Sequence, residues 1–222
     1  MNIQVEELSG YMLNGNVAKS WSYLETATYG KDSMAFYDAL KECMYFIGEL
    51  WEENAITVAD EHIASHVCKT LLSYKYYHSV RKTPEVRPLR RKKAMFLCVD
   101  GEMHDLGIHM VSNYFHEHGW ETQCLGASLP LNEAVEYAEK FQPDVIGLSA
   151  NIPYHLPAIN QYILALEQLP FGPAIMVGGK LASNHDLEFH CPPNTMIIRN
   201  LTEIEDLIKY MGTVQHGNAI NV

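Results

Sequence analysis

Three groups of residues in this chain have the types and spacing to line one long ligand. They are Glu102-x-His104-Asp105-x-Gly107, Ser149-x-Asn151 and the pair Gly178-Gly179. Forty-one residues separate Gly107 from Ser149, and twenty-six separate Asn151 from Gly178. Imidazole is a good nitrogen ligand for a borderline transition metal, and its second ring nitrogen usually needs a fixed hydrogen-bond acceptor. Glu102, two residues before His104, can supply that acceptor and raise the basicity of the ring. Gly107 lacks a side chain where a helix would otherwise begin against the ligand. Gly178-Gly179 leaves room for a bulky group beside a sheet. The plain alternative is that His104 serves a loop and the glycines are ordinary turns. One Glu-x-His-x-x-Gly alone would be weak; three elements at fixed distances are a strong signal.

A second constellation precedes it. Trp51 is followed, after nine residues, by Glu61-His62. An aromatic plane, a carboxylate and an imidazole suit a ligand with a flat purine and ribose hydroxyls, with Val58 as a small apolar contact. The plain alternative makes Trp51 bundle core, Glu61 a solvated residue and His62 a partly buried histidine. His62 and His66 also have the i, i+4 spacing of a zinc pair, but no glutamate directly follows the first histidine and no third ligand is evident. His116, His118, His155, His185 and His190 read as exposed loop or helix-end residues.

The elements that must position these groups show two periodicities. Before residue 81, four helical segments are predicted, over 3–13, 17–29, 32–53 and 58–77. Asp32 is placed to cap the third, whose apolar residues Met34, Tyr37, Leu40, Met44, Ile47, Gly48 and Trp51 lie close to one face. Thr57 caps the fourth, with Asp60 three residues on as an imperfect capping box. Trp51 then sits near the end of the third helix and Glu61-His62 in the first turns of the fourth. Short loops make the four a bundle over 1–80. A stretch over 81–93 carries seven basic residues and two prolines and reads as a solvated linker. After it, strands over 94–100, 120–125, 144–149, 174–177 and 195–199 alternate with helices over 105–118, 131–141, 155–169, 180–188 and 202–211. That rhythm predicts a doubly wound, parallel, five-stranded Rossmann-like domain over 94–211, with a tail over 212–222. All three ligand signals fall at the carboxyl ends of strands, where open α/β sheets bind ligands. No G-x-G-x-x-G follows the first strand, so the dinucleotide fingerprint is missing.

Composition narrows the function classes. At 222 residues and 47% hydrophobic, the chain can hold two small packed domains. A formal net charge of −11 argues against wrapping nucleic acid with the whole surface. No run approaches the length of a membrane helix, and the acidic amino terminus is unlike a signal peptide, so a soluble cytoplasmic protein without membrane contact is expected. The five cysteines, Cys43, Cys68, Cys98, Cys124 and Cys191, form no C-x-x-C pair and read as reduced, buried thiols.

The motif triple resembles the cobalamin-binding domain family, whose pattern runs Asp-x-His-x-x-Gly, then Ser-x-Leu, then Gly-Gly. The resemblance covers residues 92–211. Two positions depart from it: Glu102 stands where the family usually has Asp, and Asn151 where it usually has Leu. The resemblance implies that His104 is the lower axial ligand of cobalt, that Ser149 faces the displaced benzimidazole tail and that Gly178-Gly179 flank it. Glu102, Asp105, Gly107 and Asn151 are implied as further cofactor contacts.

The Trp51, Glu61-His62 spacing is similar to the helical caps of light-responsive, adenosylcobalamin-binding regulators, relatives of MerR-type repressors. By that likeness Trp51, Val58, Glu61 and His62 contact the upper face of the cofactor. The regulators carry an amino-terminal helix-turn-helix domain; this chain begins at the bundle, so direct DNA binding is not expected. A histidine that can follow the motif tryptophan there is replaced here by Glu52. The resemblance therefore implies a non-enzymatic, adenosylcobalamin-binding photosensory module in which light-driven Co–C cleavage changes cap packing. Its output would pass to a protein partner or to a second copy of the chain. A corrinoid methyl-carrier protein, with methylcobalamin and a methyltransferase partner, is the alternative of a different class. A light-independent cobalamin sensor is the third.

Overall fold

Helix-period burial governs the first part of the chain and continuous apolar strands govern the rest. The computed structural model describes residues 4–82, 91–184 and 187–213. The chain divides into two compact units, 1–82 and 83–222.

The first unit contains α1 (Val5–Leu13), α2 (Val17–Ala27), α3 (Met34–Glu52) and α4 (Val58–Lys82). Side-chain caps set the starts. The Asn16 side chain accepts the Lys19 N–H at 3.0 Å, and Asp32 Oδ1 accepts the Met34 N–H at 2.8 Å. Leu8, Met12, Leu24, Tyr37, Leu40, Cys43, Ile47 and Leu71 are fully buried and make the core. The buried stripe of α3 is rotated from the predicted one. Phe36, Cys43 and Ile47 are buried with Tyr37 and Leu40, while Met44 and Gly48 are half-buried and Trp51 is exposed. Because α3 packs against both α1 and α4, its apolar face widens toward Phe36 and Cys43 and leaves the last turn out.

The second unit contains β1 (Lys93–Val99), α5 (Leu106–Glu117), β2 (Glu121–Leu129), α6 (Leu131–Phe141), β3 (Val145–Ser149), α7 (Leu156–Glu167), β4 (Ala174–Gly178), α8 (Lys180–Asn184), β5 (Met196–Ile197) and α9 (Leu201–Thr213). The five strands are all parallel, in the order β2-β1-β3-β4-β5. β1 is buried over nearly its whole length, as a parallel strand covered on both faces must be. Met95, Leu97, Val99, Ile146, Leu148, Ile159, Ile163 and Val177 form one continuous core. This order puts the switch point between β1 and β3, so connections leave those neighbouring strands in opposite directions and open a crevice at their carboxyl ends.

Several boundaries differ from the sequence reading. α4 runs through Arg81 and Lys82, which are helical, and residues 83–90 of the basic stretch lie outside the described residues. β2 extends to Leu129, past a register shift where Phe96 pairs Cys124 but Leu97 pairs Gly126. α8 stops at Asn184, His185 lies outside the described residues, and a 3-10 turn follows at Leu187–Phe189. α9 continues to Thr213, and residues 214–222 of the predicted tail lie outside the described residues. Among the described residues no helix is long and apolar enough to cross a membrane.

Candidate functional site

Glu102 is the pivot of the loop after β1. Its side chain is 0% exposed, so its charge must be met by donors. Three N–H groups meet it. The His104 backbone N–H donates to Oε1 at 2.9 Å, the His104 ring Nδ1 lies 2.6 Å from the same oxygen, and the Asn151 backbone N–H donates to Oε2 at 3.3 Å. With Nδ1–H donating to the carboxylate, the Nε2 lone pair is left to face outward. The ring is 64% exposed and Nε2 has no hydrogen-bond partner among the described residues. This is an imidazole oriented from behind by a buried acceptor, with its ligating nitrogen presented to solvent.

Asn151, at the end of β3, ties the loops together. Its Nδ2 donates to the His104 carbonyl at 3.1 Å and to Ser149 Oγ at 2.8 Å, and its Oδ1 accepts the Lys180 N–H at 3.0 Å. The Cys98 thiol also donates to the His104 carbonyl, at 3.7 Å. Burial pushes that thiol up to about 12, with Glu102 and Asp105 adding to the shift, so it stays a donor. Gly179 has φ +114°, and a Cβ there would lie 2.6 Å from the Ala150 carbonyl oxygen and 2.8 Å from Asn151 Oδ1. Only glycine fits. A Cβ at Gly178 would meet nothing closer than the Ile198 carbonyl at 3.5 Å, and one at Gly107 would meet nothing within 4 Å. Of these three glycines the protein itself demands only Gly179, and the space in front of Gly107 is open.

Residues that sequence reading passed over brace this loop. Gly101 N–H donates to Ser128 Oγ at 3.0 Å, and Ser128 Oγ donates to Asp100 Oδ1 at 3.2 Å. Asp100 N–H donates to Tyr162 Oη at 3.1 Å, while the Tyr162 hydroxyl donates to the Leu129 carbonyl. Burial holds that phenol above its ordinary value, so it remains protonated. His155, expected exposed, is 8% exposed, and its Cε1 stands 3.2 Å from where a Cβ on Gly101 would be. His116 is also half-buried, whereas His118 and His190 are exposed as expected. No local pattern announces Ser128, Tyr162 or His155; each reaches the loop from a different element.

Asp105 and Gly107 begin α5. Asp105 is its N-cap residue and is buried, with Oδ2 3.4 Å from His109 Nε2. Ser149 is buried and reached by Asn151. The structure therefore brings together Glu102, His104, Ser149, Asn151 and Gly179, with Asp105, Gly107 and Gly178 alongside.

In the helical unit, the connection between α3 and α4 is fixed at both ends. Asn54 takes φ 58°, its N–H donates to the Trp51 carbonyl at 3.0 Å, and the Ala55 N–H donates to the Leu50 carbonyl at 2.9 Å. This is a Schellman ending with asparagine in the left-handed position. α4 starts with the predicted capping box realised: Thr57 N–H and Oγ1–H donate to Asp60 Oδ2 at 2.8 and 2.7 Å, and Asp60 N–H returns to Thr57 Oγ1 at 3.3 Å. Trp51 is 46% exposed and Val58 51% exposed, so neither is core. Ser65 donates to Glu61 Oε1 at 2.5 Å, and His62 Nε2 is 3.8 Å from Glu61 Oε2. No ring contact or hydrogen bond joins Trp51 to Glu61 or His62 among the described residues. No three His, Cys, Asp or Glu side chains of the described residues are grouped to hold a metal, which leaves the His62–His66 pair without a third ligand.

The fold and loop define a class: a flavodoxin-order sheet that presents a carboxylate-oriented imidazole at its switch point, preceded by a helical unit. The donor set suits a group that brings its own equatorial ligands and needs one axial nitrogen. Comparison with known proteins agrees. Residues 92–192 match a family described as B12 binding domain, and residues 4–75 match a second family with the same description. Together these cover most of the chain, which carries both B12-binding domains and binds cobalamin. The chain is 27% identical over 153 residues to the HTH-type transcriptional repressor CarH of Myxococcus xanthus, covering 68% of this chain and 48% of that protein. It is 33% identical over 87 residues to dimethylamine corrinoid protein 1 of Methanosarcina acetivorans, covering 38% of this chain and 41% of that one. The chain thus spans about half the length of the curated relatives it matches. The solved monomethylamine corrinoid protein of Methanosarcina barkeri shares the fold, with a TM-score of 0.67 at 18% identity over 92% of this chain and 96% of that chain.

Proposed function

We propose that the protein is an adenosylcobalamin-binding, light-responsive regulatory module and that it catalyses no reaction of its own. The observation that carries this reading is the pair of exposed apolar side chains, Trp51 and Val58, that flank a Schellman ending and a capping box. An exposed tryptophan at the end of α3, with Glu61 and His62 in the first turns of α4, is suited to grasping a purine nucleoside. Likeness to a transcriptional repressor over 68% of the chain supports the regulatory class.

His104 Nε2 would hold cobalt from the lower side, with Glu102 fixing the ring and Asn151 fixing the backbone that carries it. Gly107, Ser149 and Gly178-Gly179 would border the displaced nucleotide tail, with Asp105 shaping the loop. Trp51, Val58, Glu61 and His62 would contact the adenosyl group. The bound cofactor supplies a weak cobalt–carbon bond that visible light cleaves. Once without adenosyl contacts, the end of the bundle would repack and alter self-association or a surface for a protein partner.

A methyl-carrier role is the second reading, favoured by the fold shared with a monomethylamine corrinoid protein. A methyl carrier needs only an apolar lid, so the two readings separate on Trp51. In the dark, Trp51→Ala is expected to weaken adenosylcobalamin binding and leave methylcobalamin binding nearly unchanged. The light claim is tested on protein loaded in the dark, by absorption and by light scattering before and after green illumination. Unchanged mass, with no partner whose binding depends on light, would sink it.

A further inference from the structure

A cluster on the α5 side of the sheet starts at Asp105, directly after the ligating imidazole, and has the order of a nucleophile, its base and an orienting acid. Cys124 on β2 has its Sγ 3.4 Å from His109 Nδ1, and His109 Nε2 lies 3.4 Å from Asp105 Oδ2. Three local features hold this geometry. The register shift of β2 falls directly after Cys124, where a bulge re-aims side chains. Gly126 has φ +77°, and a Cβ there would stand 3.9 Å from Asp105 Oδ2. Asp105 is pinned as the N-cap residue of α5, one turn before His109.

We propose that Cys124 is a reactive thiol activated by His109 and oriented by Asp105, and that it forms mixed disulfides with low-molecular-weight disulfides. His109 is pushed up to about 9, chiefly by its bond to Asp105, then by Cys124, against its partial burial. With Nε2 facing the Asp105 carboxylate and Nδ1 facing the sulfur, the ring takes up the thiol proton and holds it as the imidazolium partner of the thiolate. Among the described residues Cys98 on β1 also interacts with Cys124; it is a buried thiol pushed up to about 12 by that burial and by Glu102 and Asp105. Cys43 and Cys68 are buried and pushed up to about 11 and about 12, and burial also raises Cys191. Cys124 is half-buried on an edge strand, within reach of a small reagent. No metal-binding trio exists among the described residues, so chelation does not compete for this sulfur.

The exchange balances without any further oxidant. Cys124 passes its proton to His109 and the thiolate attacks one sulfur of the small disulfide. The old S–S bond breaks as the Cys124–S–S–R bond forms. The leaving thiolate takes the electron pair and then the proton from His109, so one thiol and one disulfide become a mixed disulfide and a new thiol.

The test uses the full chain, loaded with cobalamin in the dark, and uncharged 2-hydroxyethyl disulfide. Adducts are located by peptide mass spectrometry, and rates are followed from pH 5 to 10. The pH profile of the wild type against that of His109→Gln is the deciding readout, because it reads proton transfer to the imidazole and a merely exposed thiol would not depend on that ring. Cys124 is expected to carry the first adduct, the rate to reach half its plateau at least about one pH unit lower in the wild type than in His109→Gln, and Cys124→Ser to lose the fast phase. A first adduct on Cys191, or a half-plateau unmoved by His109→Gln, overturns the proposal. If His109→Gln does not fold, the wild-type profile alone decides, because a half-plateau near the ordinary thiol value of about 8.5 overturns it equally.

Discussion

The imidazole loop of the sheet unit and the α3–α4 end of the helical unit are built on opposite principles. At the loop, a fully buried carboxylate, a left-handed glycine and the amide of Asn151 lock one another through hydrogen bonds that reach across three strand ends. At the helix end, the backbone is fixed by two caps while Trp51, Val58 and His62 are left largely in solvent. A rigid polar network pre-sets a metal ligand without waiting for it. Exposed side chains on capped helices instead leave room to close on a ligand and to let it go. On the proposed function, the first region would anchor the cofactor and the second would read out its state.

The largest effect should come from the anchor. His104→Ala is expected to lower cobalamin affinity by at least about tenfold and to abolish the nitrogen-ligated absorption spectrum, with a stability loss of about 1 kcal/mol because the buried Glu102 carboxylate loses one of its three N–H donors. An unaltered spectrum would show that another base coordinates the metal and that the loop anchors nothing. Gly179→Ala should destabilise the sheet unit by about 3 kcal/mol, since its Cβ would press on backbone rather than on a yielding side chain. Thermal unfolding reads this directly; an equal melting temperature would mean the loop is softer than its geometry implies.

Asn151→Leu, the change toward the usual family residue, should cost about 2 kcal/mol by removing two donated bonds and one accepted bond. It should also speed amide exchange at Lys180, which otherwise donates to Asn151. The smallest stability effect belongs to the other region. Trp51→Ala should shift stability by no more than about 0.5 kcal/mol, as an exposed side chain outside the core does, while weakening adenosylcobalamin selectively. Should Trp51→Ala melt the bundle instead, the tryptophan serves packing and the contrast between the two regions fails.

Much of the fold was legible because its signals are local. The capping residues Thr57 and Asp60 lie three apart, the apolar run of β1 is continuous, and α6 falls on its predicted residues. Glu102 and His104 were legible as a pair for the same reason, being two residues apart on one loop. Where burial depends on which neighbours arrive, the reading slipped. The stripe of α3 was displaced, Trp51 left its predicted face, and His155 turned inward.

Asn151 illustrates the divide. Its sequence position marks a candidate cofactor contact and a departure from the family pattern, yet the residue also joins His104, 47 residues away, to Lys180, 29 residues further on. Cys124 and His109 meet across 15 residues, through a bulge that no periodicity predicts. Sequence alone set the two-part organisation, the α/β rhythm and the pairing of Glu102 with the His104 ring, because neighbours along the chain encode those. The hub at Asn151, the bracing by Ser128 and Tyr162 and the thiol–imidazole pair were decided only by tertiary structure, because strand order brings remote loops to one edge.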